Sequence, residues 1–237
     1  MADPGVQAAK RRQAAGITVF LVLVAAGTCG LYQWVRRDAV AFRRAENAFA
    51  RGDTARAIAD YELARTLGLR VANLDWRLAQ ALIVAGRKAE ALLVLKGHLE
   101  RRTGDLDALA VTAGLAQELG RPAEALALYA NFGPRDRLPP GQLVRLADIH
   151  QQAGQIDEAV ACARLALRAA PGSADLHVLL GGYLARAERR TEALSELNEA
   201  LRLQPGHRAG RLALARVLAW EHRYEDSITA YRTYLGQ

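Results

Sequence analysis

Cysteine is almost missing from this chain. Its two residues, Cys29 and Cys162, sit in segments of different character, which excludes a disulfide framework and says nothing about the redox compartment. Histidine is nearly as scarce. His98, His150, His177, His207 and His222 include no pair at H-E-x-x-H spacing. The chain also lacks C-x-x-C, a glycine-rich phosphate loop followed by lysine, and G-x-S-x-G. Carboxylates such as Glu192, Glu196 and Glu199 follow the spacing of a helix surface and read as solvated. Catalysis needs an assembled set of groups and none is spelled out, so the expectation is a protein that is not an enzyme and holds no cofactor or metal.

A nucleic-acid footprint is missing too. The net charge of +7 gathers at the N-terminus, where Lys10, Arg11, Arg12, Arg36 and Arg37 face only Asp3. From Asp38 onward 27 basic residues meet 24 acidic ones, a mixed surface without a basic stripe, so no nucleic-acid partner is expected.

What the N-terminus does contain is 22 residues without a charge. Residues 1–13 form a short basic tail and 14–35 an apolar run that includes Phe20, Leu21, Val22, Leu23 and Val24. As a helix this run reaches about 33 Å, enough for a hydrocarbon core of ~30 Å. Nine strongly apolar side chains favour insertion by roughly 3–5 kcal/mol. Lys10, Arg11 and Arg12 flank one end; Trp34, Arg36 and Arg37 mark the other as a membrane boundary. A cleaved signal peptide fits less well, because Leu31 to Val35 continue past the small residues Ala25 to Gly27. A lipoprotein signal at Cys29 lacks the polar linker that should follow, and a buried core helix has no place in a repeat protein. The expectation is a single transmembrane helix, continuous with the first helix beyond it. Flanking charges nearly balance. The signal-anchor reading exports the rest of the chain to the periplasmic side of a bacterial inner membrane; the mirror topology leaves it in the cytoplasm.

Beyond that run the sequence repeats itself every 34 residues without insertion or deletion, and such a period governs the fold. The units are 38–71, 72–105, 106–139, 140–173, 174–207 and 208–237. Their eighth position holds Ala45, Ala79, Ala113, Ala147, Gly181 and Ala215; the twentieth holds Ala57, Ala91, Ala125, Ala159, Ala193 and Ser227. Small residues in both columns let two antiparallel helices approach closely. The fifteenth holds Gly52, Gly86, Gly120 and Gly154, then Glu188 and His222, where the first helix must end in a left-handed turn. Of the Gly181-Gly182 pair, one fills a small-residue column and the other faces the groove. After Phe132 two glycines and three prolines crowd into 133–141, which predicts an early helix end and a candidate hinge, or a stiff turn without a role.

Leu180, Gly181, Leu184, Ala193, Leu197, Ala200 and Pro205 in the fifth unit, with Leu146, Ala147, Gly154, Ala159, Ala166 and Pro171 in the fourth, resemble the tetratricopeptide repeat family. The fourth position departs from the family's usual Trp, and Arg44 replaces an apolar residue in the first unit. The resemblance implies an all-α, right-handed α-solenoid of six helix-turn-helix units behind the transmembrane helix. It implies protein–protein interaction, with the first helix of each unit lining a concave groove. At the fifth position stand Phe42, Trp76, Ala110, Val144, Val178 and Leu212, an apolar floor; at the ninth stand Glu46, Gln80, Gly114, Asp148, Gly182 and Arg216. The Lys and Asn of chaperone-tail clamps are absent there, so no such clamp is expected. The candidate partner groove is Trp76, Gln80, Asp107, Glu118, Val144, Asp148, Asp175, Val178, Leu212 and Arg216, suited to a segment with basic residues. The alternative is that Val144 and Val178 merely pack against neighbouring helices.

The expected role is a membrane-anchored scaffold or adaptor in an envelope machine: polysaccharide export, cytochrome maturation or outer-membrane chaperoning. Leu218-Ala219-Trp220 and Arg223-Tyr224 resemble repeats of exopolysaccharide secretion proteins. The alternatives are a cytoplasm-facing adaptor, or a self-assembling structural protein that stacks through an uncapped last repeat carrying Tyr231, Tyr234 and Leu235.

Overall fold

The computed structural model describes residues 36–236. They form twelve α-helices and one 3-10 turn, and among the described residues there is no strand. The helices are α1 (Arg37–Ala50), α2 (Thr54–Thr66), α3 (Leu74–Val84), α4 (Lys88–Arg101), α5 (Leu106–Glu118), α6 (Pro122–Phe132), α7 (Pro140–Gln152), α8 (Ile156–Ala169), α9 (Ala174–Arg186), α10 (Arg190–Leu203), α11 (Arg208–Trp220) and α12 (Tyr224–Leu235). Local chemistry starts and stops them. The side chains of Asp53, Asp105 and Ser173 accept from the backbone N–H groups of Arg56, Ala108 and Leu176, capping α2, α5 and α9. Pro122 and Pro140 open α6 and α7, where a missing N–H costs nothing. The turn inside each hairpin needs positive φ. Gly120 and Gly154 supply it at φ 70° and 76°, whereas Glu188 and His222 adopt it at 59° and 58°.

The chain divides into two compact units, up to Leu95 and from Lys96. In the first, α1 pairs with α2, which packs on α3. Ala45, Ala57, Tyr61 and Leu78 are fully buried there. In the second, α5 and α6, α7 and α8, α9 and α10, and α11 and α12 form hairpins, each packed on the next. The core is therefore a chain of neighbour contacts. Gly181 shows why small residues recur: a Cβ there would lie 2.8 Å from Leu197 Cγ and 3.3 Å from the Ala193 carbonyl oxygen. Leu109, Leu184 and Leu197 are fully buried in this unit, each contributing about 1.5–3 kcal/mol on folding.

Three expectations change here. The span expected over 14–35, with its flanks Lys10, Arg11, Arg12 and Trp34, lies outside the described residues. Among those described, no helix is long and apolar enough to cross a membrane, so the single-pass localisation and the transmembrane element of the fold are corrected. The cell-envelope setting rested on that anchor and has no support without it. Nor does the first repeat helix run back toward the apolar segment: Arg36 lies in a turn at φ −111°, ψ 32°, and α1 begins at Arg37, with both arginines exposed. Finally, the proline-rich stretch is no boundary. Helix α6 does end at Phe132, but the following 3-10 turn, Arg135–Arg137, is pinned to its own unit. Leu138 is buried, and Arg135 donates to Glu158 of α8 at 2.5 Å. The division between units falls instead within α4.

Candidate partner-binding face

The first helix of each repeat presents its fifth position at the edge of the core, and the residues there share one environment. Phe42 and Trp76 in the first unit, and Ala110, Val144, Val178 and Leu212 in the second, are all half-buried. Each is anchored by the buried column three residues on, which includes Ala45, Ala79, Ala113, Ala147 and Ala215. The candidate groove residues therefore divide, with Trp76 and Gln80 on the first unit and the other eight on the second.

On the first unit the polar groups bind one another. Glu46 accepts from the Tyr61 hydroxyl at 2.5 Å and lies 3.3 Å from Arg77 Nε, while Arg77 donates to Gln80 Oε1 at 3.4 Å. Phe42 stacks obliquely on Tyr61 with ring centroids 5.7 Å apart. Gln80 is thus held by an arginine that sequence reading did not single out.

On the second unit the ninth position alternates between open and charged. A Cβ at Gly114 or Gly182 would meet nothing within 4 Å, so bare backbone faces outward at both. Between them Asp148 accepts the Tyr183 hydroxyl at 2.5 Å. Burial, and then this hydrogen bond to a carboxylate, push the Tyr183 phenol well above its ordinary range. Asp175 also has a partner: His207 Nε2 donates to it at 2.8 Å, while His207 Nδ1 accepts the Gly210 N–H at 3.0 Å as the cap of α11. That pair of bonds fixes the imidazole tautomer. Even so the Asp175 side chain is 88% exposed and keeps acceptor capacity toward solvent. Asp107, Glu118 and Arg216 are exposed. Beside Glu118, Gln117 donates to Gln152 at 3.1 Å and links α5 to α7. Val178 serves packing as well as surface, since a Cβ on Gly210 would come within 3.1 Å of its Cγ2.

Two features escaped sequence reading. Arg186 is exposed at the thirteenth position, in a column with Glu118, Gln152 and Trp220; reading that column would have found it. The buried histidines have carboxylate partners: His98 with Asp105 at 2.9 Å and His177 with Glu196 at 2.6 Å. Asp105 is drawn below the usual carboxylate range, first by the Ala108 N–H and then by His98. The signal was present for His177 and Glu196, whose repeat positions hold Leu109 and Leu128 in the third unit.

Solved structures share this fold. A tetratricopeptide repeat protein from Parabacteroides merdae ATCC 43184 superposes with a TM-score of 0.66 at 15% identity, over 85% of this chain and 80% of that one. MamA from Desulfovibrio magneticus RS-1 gives 0.60 at 18% identity, over 70% and 93%. YrrB, described as a repeat protein with an unusual peptide-binding site, gives 0.57 at 21%, over 72% and 88%. No curated protein matches the sequence. The family model for the tetratricopeptide repeat matches residues 42–105, 144–208 and 183–237, more than half of the chain. The chain belongs to the tetratricopeptide repeat family.

Proposed function

We propose that this protein is a non-catalytic scaffold that holds a peptide segment of a partner protein on the first-helix face of its repeats, the segment carrying basic residues among apolar ones. The observation that carries this reading is the row Ala110, Val144, Val178 and Leu212, half-buried and flanked by the exposed carboxylates of Asp107, Glu118 and Asp175. Apolar side chains of the segment settle on the row, and its cations meet the carboxylates. Trp76 offers a second anchor on the first unit. YrrB, which shares the fold, is described as having a peptide-binding site. Panning a random peptide library against the full chain supplies a labelled ligand. Leu212→Ala then weakens its binding about tenfold, as expected when an anchor is lost, with little change in thermal midpoint. An unchanged Kd contradicts the reading.

A second reading rests on α12 and the end of α11. Trp220, Tyr224, Ile228 and Leu235 are each more than half exposed, an apolar surface through which two copies of the chain would associate. Light scattering across a concentration series tests it: a mass that stays monomeric, or that Ile228→Glu leaves unchanged, rejects it.

A further inference from the structure

The apolar stripe on α12 sits in columns that other repeats bury. Ile228 occupies the twenty-first position of its unit, where Ile58, Leu92 and Val160 are at most 2% exposed, yet Ile228 is 51% exposed. Tyr231 is half-buried at the twenty-fourth position, where Tyr61, Leu95 and Leu197 are fully buried. Tyr224, Ile228, Tyr231 and Leu235 follow one another at intervals of four, three and four, the spacing of a seam between two helices. Along one flank of that seam stand Glu225 and Arg232. Both are exposed and without an ion-pair partner among the described residues, whereas Arg223 is bonded to Asp226 at 2.6 Å. The first repeat is built differently. Elsewhere the first helix of a repeat packs on the second helix of the repeat before it, as α3 does on α2 and α9 on α8. Leu78 and Leu180 are buried at the seventh position of those two helices. At the same position α1 carries Arg44, exposed and bonded to Asp60 at 3.1 Å.

We propose that the α12 face binds the same face of a second copy, the two helices running antiparallel about a twofold axis. This pairing rests on the reading that copies associate through α12, and it fixes their geometry. Head-to-tail stacking, with α1 of one copy on α12 of the next, would bury the Arg44–Asp60 pair against Ile228, and desolvating both charges offsets their attraction. An antiparallel pair of α12 helices buries no such charge. Its seam sets Ile228 against Tyr231 of the second copy and Tyr224 against Leu235 of the second copy. Opposite helix directions also bring Glu225 beside Arg232 of the second copy, and the twofold axis makes that contact twice. A parallel pair would instead set Glu225 against Glu225 and Arg232 against Arg232, which repel. The interface is small. One helix face of this length covers roughly half of the ~800 Å² per partner that stable complexes bury, so the dimer is transient, with a Kd of about 0.1 mM.

The test is sedimentation equilibrium of the full chain over a concentration series reaching about 1 mM, well above the expected Kd. The wild type should dimerise. Glu225→Arg or Arg232→Glu alone should weaken the dimer about tenfold, because each creates two like-charge contacts across the axis. Both side chains are exposed, so helical content should not change. An equimolar mixture of the two variants should recover the wild-type affinity within about threefold, since every Arg then meets a Glu in the mixed dimer. A wild type that stays monomeric throughout, or a dimer that Ile228→Glu leaves intact, rejects association through α12 and the pairing with it. A dimer that Ile228→Glu disrupts keeps the surface. If the single reversals then fail to weaken it, or the mixture fails to restore it, the antiparallel pairing alone is overturned.

Discussion

The Tyr183 hydroxyl donates to the Asp148 carboxylate across 2.5 Å, so a residue of α9 is tied to one of α7 through the face proposed to bind a partner. Tyr183 is 3% exposed and Asp148 half-buried, which leaves the bond partly shielded from water. Tyr183→Phe is expected to cost about 1.5–3 kcal/mol, the range for a hydrogen bond to a charged group. A urea-unfolding cycle with Asp148→Ala should return a coupling of about 1–2 kcal/mol. Additive losses would mean that the two side chains stabilise the repeats separately.

Helix approach within a hairpin depends on small side chains. Ala159 and Ala193 are fully buried, while Ala161 on α8 is exposed. Leucine at either buried site should destabilise by about 1–3 kcal/mol, because overfilling shifts the backbone. At Ala161 the same change should stay within about 0.5 kcal/mol. Thermal or urea unfolding reads the contrast, and equal effects would refute the packing.

Glu188 holds a left-handed conformation that four earlier repeats give to glycine. A non-glycine residue there costs roughly 1–2 kcal/mol, and glycine returns roughly 0.5–1 kcal/mol of that through its freer unfolded chain. Glu188→Gly is therefore expected to stabilise the protein by about 0.5–1 kcal/mol. A lower midpoint would show that the Glu188 side chain contributes more than its backbone costs.

Asp105 supplies a pH dependence with a definite sign. Its carboxylate caps α5 and bonds His98, and its folded pKa lies below the unfolded value. The stability it contributes is thus present above the unfolded pKa and lost as pH falls through the lower folded one. Asp105→Ala should cost about 0.5–2 kcal/mol at neutral pH, the worth of an N-cap. The gap between wild type and variant should close as unfolding is measured in progressively stronger acid below the ordinary carboxylate range. A gap independent of pH would assign the loss to packing.

The hairpins were legible because they are written in size. Ala147 with Ala159, or Gly181 with Ala193, occupy columns that nothing larger fits, and a 34-residue period keeps them in register. Charge pairing was not legible, because it depends on which columns meet across a hairpin. Asp148 and Asp175 look alike as groove carboxylates in sequence; in space one is held by Tyr183 and the other by His207. The apolar run over 14–35 has the length and hydropathy of a membrane span but lies outside the described residues, among which no helix is long and apolar enough to cross a membrane. The division within α4 left no mark in the repeat pattern, which continues unbroken through Leu95 and Lys96.

Hydrogen–deuterium exchange with and without a peptide selected by panning tests the central claim most directly. The account predicts slower exchange along the first helices α5, α7, α9 and α11, centred on Val144, Val178 and Leu212, with α8 and α10 unchanged. Protection confined to the second helices, with those first helices unaffected, would contradict it.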